Sequence, residues 1–152
     1  MGKYLVIIDE TEEARKALRF AMRWAEASKG SVQILAIVQP QNFNAFGGVQ
    51  ATIEQEARDR AEAIATSAAG NVFTESGKMP NIAVKVGSGD RIVREYLADH
   101  PDVIALVLGA AADGPPGPLV THFSQHTGSL PCPLVILPGG MAVEDLDRIA
   151  AA

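Results

Sequence analysis

Tyr4-Leu5-Val6-Ile7-Ile8-Asp9-Glu10-Thr11 opens the chain with five apolar residues that run straight into two acids and a hydroxyl. An unbroken apolar run of this length, rich in β-branched residues, reads as a strand buried on both faces. The polar residues behind it are of the kind that start a helix. From Thr11 to Ser28, Ala14, Ala17, Leu18, Ala21, Trp24 and Ala25 recur at spacings of three and four, an amphipathic helix that stops at Lys29-Gly30. A buried strand followed by a helix with one apolar stripe is the first half of a βαβ unit, and the rest of the chain repeats the pattern.

Val32 to Val38 is the second strand, and Pro40 to Gly48 forms a polar loop whose Phe43 and Phe46 suit a lid. Ile53, Ala57, Ala61, Ile64 and Ala68 then mark the buried stripe of a long helix, with Glu54, Glu56, Arg58, Asp59, Arg60 and Glu62 on its other faces and Gly70-Asn71 as its stop. Ile82 to Val86 alternates as an edge strand does, and Ile92, Val93, Tyr96 and Leu97 give the next helix its stripe. Val103 to Leu108 contains no polar residue and reads as a central strand covered on both faces, and Leu134 to Leu137 is the fifth strand. Five strands with helix-length crossovers predict a three-layer α/β sandwich around a mostly parallel, doubly wound sheet, in the order 3-2-1-4-5. One domain over residues 1–140 is expected, with 141–152 as its helical tail through Val143, Leu146, Ile149 and Ala150.

The composition narrows the function. The chain has 152 residues, 47% hydrophobic and 20% charged, enough for one self-sufficient core. A net charge of -5 without a clustered basic patch argues against a nucleic-acid partner. The apolar runs are too short for a membrane span or a signal-peptide core, and Val6 stands where a myristoylation signal needs Ser or Thr. With Cys132 as the single cysteine, no intrachain disulfide can form, and a reducing cytoplasm fits best.

In the predicted strand order the topological switch lies between strands one and four, so a ligand crevice is expected where Asp9 to Thr11 faces the loop beginning at Gly109. Four segments carry a resemblance at and around this crevice. They are Leu5 to Thr11 followed by Arg15 to Ala21, Gly87-Ser88-Gly89-Asp90, Val107-Leu108-Gly109, and Pro131-Cys132-Pro133-Leu134-Val135-Ile136-Leu137. Together they resemble the universal stress protein family over Tyr4 to Pro138. The resemblance implies an adenine nucleotide alpha hydrolase-like fold and a regulatory protein of the stress response that binds ATP or AMP, with the part of magnesium left open. It also implies no catalytic residues of its own, and a homodimer formed through the last strand, Leu134, Val135, Ile136 and Leu137. Physics supports the dimer, because an apolar edge strand without a guarding charge needs cover.

Nucleotide-binding members of that family look like Gly, two residues, Gly, nine residues, then Gly-Ser or Gly-Thr, after the fourth strand. Here Gly109 matches the first glycine, Ala112 replaces the second, and the last pair aligns as Val120-Thr121 after a two-residue shortening. A Cβ at Ala112 and Val120 obstructs close backbone approach to phosphate, and Pro115, Pro116 and Pro118 lack the N–H that would donate. Gly114 and Gly117 can reshape the turn as loop contacts, and Thr121 can cap a helix over His122 to Thr127. Carried over position by position, the resemblance sets Asp9 against adenosine, Ile37 and Val38 beside the base, and Gly109, Thr121 and His122 at the phosphates. The alternative is a homodimeric interaction module whose degenerate loop binds no nucleotide.

Purely structural readings stand beside these. Asp9 equally suits the cap of the first helix. His122 and His126 share a helical face without a third ligand, so no metal site is expected. Cys132 between two prolines reads as an inert, partly buried thiol. No phosphoacceptor aspartate ends the third strand, at Val86-Gly87, and no convincing base, nucleophile and metal constellation supports a hydrolase with Asp9 or His122 at its centre.

Overall fold

The computed structural model describes residues 2–40 and 47–152, with 47–50 as backbone only. Phe43 and Phe46, expected in a lid, lie outside the described residues. The elements alternate without interruption: β1 Lys3–Ile7, α1 Glu12–Ser28, β2 Ser31–Val38, α2 Gly47–Ser76, β3 Asn81–Val86, α3 Gly89–Asp99, β4 Val103–Ala110, α4 Pro118–Ser124, β5 Leu134–Pro138 and α5 Val143–Ala151. All strand pairs are parallel and the order is β3-β2-β1-β4-β5, as the sequence predicts.

Alternation along the strands divides the interior into two cores. Tyr4, Val6, Ile34, Ala36, Ala105 and Val107 point to the face covered by α1, α2 and α5. Leu5, Leu35, Leu106 and Leu108 point to the face covered by α3 and α4, where Val93 and Phe123 are fully buried. β1 is hydrogen-bonded on both sides, and its Leu5 and Val6 have no exposed surface. Cover of β4 holds from Ala105 to Leu108 but fails at Ile104, which is 45% exposed.

Two helix boundaries differ from expectation. α2 does not stop at Gly70-Asn71 but continues through them to Ser76. Ala65, Ala69 and Val72, all buried, hold that last stretch on the sheet and outweigh the roughly 1 kcal/mol helix penalty of one glycine. α1 ends as expected, with Gly30 N–H donating to Ala25 O at 2.8 Å and Lys29 in the left-handed conformation at φ 59°.

α5 docks on α1 through Leu146, which is fully buried, and Ala150. Val143 and Ile149, expected on the same stripe, are instead exposed. Arg19 closes the contact with a two-pronged pair, Nε to Asp147 Oδ1 at 2.9 Å and Nη2 to Oδ2 at 2.8 Å. The hydrogen bond from Arg19 holds the Asp147 carboxyl below the usual aspartate range. No described helix is long and apolar enough to cross a membrane.

Lys29 carries a Cβ in a conformation that costs a non-glycine residue about 1 kcal/mol. Lys29→Gly should therefore stabilise the protein by about 0.5–1 kcal/mol, read as a raised urea midpoint with an unchanged m-value.

Candidate functional site

The loop leaving β1 is organised by its own side chains. Thr11 is the N-cap of α1, its hydroxyl accepting from Ala14 N–H at 3.2 Å. Asp9 is therefore not the helix cap. Its Oδ1 accepts from Thr11 N–H at 2.9 Å and from Thr11 Oγ1 at 2.5 Å, so Asp9 orients the residue that caps. Ile8 N–H donates to Leu35 O, which ties the loop to β2.

A cavity of about 390 Å³ opens beside this loop, lined by Ile8, Asp9, Thr11, Ile37, Val38 and Gln39 from the ends of β1 and β2. α2 supplies its other wall with Ala57, Arg60, Ala61 and Ile64. Asp9, Ile37 and Val38, expected to contact adenosine and the base, thus meet in one space. Arg60, outside the apolar stripe of α2 and exposed, also borders the cavity and is not among the site residues expected from the sequence. The signal was its spacing, since Arg60 directly precedes Ala61 and follows Ala57 by three on the apolar stripe.

The residues expected at the phosphates do not line this cavity. Gly109 lies beneath the first turn of α1, where a Cβ would fall 2.2 Å from the carbonyl oxygen of Glu13. Its lack of a side chain serves helix-on-strand contact. Ala111 N–H donates to Pro116 O at 3.0 Å, closing the following loop on itself, with Gly114 at φ 73° and Gly117 at φ 122° making its turns. Thr121 does not cap a helix. It lies inside α4, its N–H donating to Gly117 O, because Gly117 is the N-cap and Pro118 occupies the first turn. α4 stops at Ser124, and a 3-10 turn over Thr127–Ser129 takes the place of the expected continuation to Thr127.

His122 faces α3. Its Nε2 lies 3.4 Å from Arg94 Nη2 and 3.9 Å from Asp90 Oδ2, and its ring stacks on His126 at 4.5 Å. Ser88 Oγ donates to Asp90 at 2.5 Å and holds that carboxyl below its ordinary range. Arg94 also donates to Ser129 Oγ at 3.1 Å and lies over the Phe123 ring. These contacts join α4 to α3. Burial pushes the Cys132 thiol up, away from the reactive thiolate, as expected of an inert cysteine. Among the described residues no three His, Cys, Asp or Glu side chains are grouped to hold a metal ion.

A sequence model described as the universal stress protein family matches residues 1–138. Among curated proteins there is no significant match. Solved structures of similar fold include universal stress protein UspA from Lactobacillus plantarum, at TM-score 0.71 and 20% identity, over 90% of this chain and 97% of that one. A universal stress protein from Archaeoglobus fulgidus in complex with dAMP gives 0.58 at 16%, over 90% and 96%. A family protein from Arabidopsis thaliana with AMP bound gives 0.60 at 14%, over 91% and 92%. At these identities the likeness establishes a common fold.

Gly109→Ala tests the close contact at the end of β4. The added methyl must displace backbone, so a loss of about 1–3 kcal/mol is expected, measured by urea unfolding with circular dichroism as the signal.

Proposed function

The chain belongs to the universal stress protein family, and from that membership we propose that it is a cytoplasmic regulatory module that binds an adenine nucleotide, AMP in preference to ATP. The observation that carries the reading is the cavity at the ends of β1 and β2, where Asp9, Ile37, Val38 and Gln39 converge. Ile37 and Val38 offer apolar contact to a base, and Asp9 offers a carboxylate to ribose hydroxyls. The relatives solved with AMP and dAMP support a nucleotide as the occupant. The loop after β4, with one side of Gly109 taken up by Glu13 and Ala111 N–H already bonded, favours a ligand with one phosphate over one with three.

On this reading the protein acts by binding and not by turnover. The same closed loop favours a second reading, an interaction module that binds no nucleotide. Thermal unfolding with AMP and ATP, with and without magnesium, separates the two. Ligand bound only by the folded chain adds about 2.7 kcal/mol at a hundred times its Kd. AMP should raise the melting temperature more than ATP, and Asp9→Ala should weaken the AMP effect about tenfold in concentration. A flat response at millimolar AMP leaves the second reading.

We further propose a homodimer through β5. β5 has β4 as its one strand neighbour in this chain, and Leu134, Val135 and Ile136 are only half-buried. Pairing two such edges satisfies backbone groups and covers these side chains. Sedimentation equilibrium should return twice the chain mass; a monomer at every concentration tested would refute the pairing.

A further inference from the structure

The cavity beside Asp9 does not end at α2. Ile8, Asp9, Glu10, Arg60 and Ile64 also line a larger cavity of about 520 Å³ between α1 and α2. The two spaces are adjacent and share those five residues.

The larger compartment has a different chemistry. Its depth is lined by Leu18, Met22, Ile64 and Val72, and α2 turns the short side chains Ala63, Ser67 and Ala68 toward it. Its entrance carries Arg15, Lys16 and Arg60. Lys16 donates to the carbonyl oxygens of Gly139 and Met141, neutral partners that leave its charge uncompensated, and Arg60 has no partner among the described residues. Asp9 and Glu10 face the junction from β1, and Glu12 is paired with Arg15 at 3.1 Å. At the far end Glu75 is paired with Arg19 at 3.3 Å. The compartment therefore offers cations close to the junction and a greasy interior beyond them.

We propose that the crevice takes an adenylate whose phosphate carries an apolar group, an alkyl ester or acyl anhydride of AMP. The assignment rests on adenosine occupying the smaller compartment, as proposed above. With the Ala111 N–H already bonded to Pro116 O, the 5′ substituent turns into the space between the helices. Its phosphate then meets Lys16 and Arg60, and its chain lies along Leu18, Met22 and Val72. A 520 Å³ space with this division is of the size and character that small amphipathic ligands occupy.

Calorimetric titration of the full chain with AMP, with the decyl phosphodiester of AMP and with decyl phosphate tests this. Each methylene buried strengthens binding about fourfold. The decyl ester should bind at least tenfold tighter than AMP, with a more negative heat-capacity change. Ser67→Trp, on the α2 wall of the larger compartment alone, should abolish that gain and leave AMP affinity unchanged. Asn71→Trp is the second filling variant, and both are checked for folding by circular dichroism. If AMP binds and the ester binds no tighter, the apolar compartment is refuted while the nucleotide reading stands. If neither binds, both fall together. A gain that survives both tryptophan variants, or decyl phosphate matching the ester, also overturns the proposal.

Discussion

The first turn of α1 rests on the bare backbone of β4 and β5. Gly109 is the contact point, with Gly139 beside it, where a Cβ would lie 2.6 Å from Ala110 O and 3.2 Å from the Cβ of Glu13. Close approach here lets Ala14, Ala17 and Ala21, small and buried, seat α1 on the centre of the sheet. It also fixes where β1 releases the chain, because Thr11 must cap that helix and Asp9 must orient Thr11. The same contact takes up one side of Gly109. One steric fact thus joins the packing of the core to the shape of the crevice.

The crevice is consequently unequal at its two ends. At the β2 end, Ile37 and Val38 leave the sheet beside Asp9, and α2 stands far enough off to leave a cavity. At the β4 end, the Ala111 N–H is bonded to Pro116 O, three prolines lack a donor, and His122 is engaged with Arg94 on α3. The first end offers apolar surface with a few polar groups beside it.

α5 lies beyond the 138 residues matched to the family and is held by the means that stabilise the rest. Burial of Leu146 contributes about 1.5–3 kcal/mol before ordering costs, and the Arg19–Asp147 pair fixes its orientation. Lys16 binds the preceding turn through two carbonyl groups, so Lys16 and Arg19 of α1 both secure the tail. Through Val143 the tail also reaches the cavity between α1 and α2.

The sequence by itself determined the number, order and kind of the elements, because unbroken apolar runs and three-four spacings report burial directly. It determined the strand order as well, since right-handed crossovers leave few ways to lay five parallel strands. Asp9, Ile37 and Val38 line one cavity because each is placed by the end of a strand. Only the tertiary structure decided that α2 runs past Gly70, that Arg60 turns into the crevice, and that Gly109 and Thr121 serve packing and a helix interior. Those outcomes depend on distances between segments far apart in the chain, such as the carbonyl of Glu13 above Gly109. A local pattern carries no record of which backbone will stand against it.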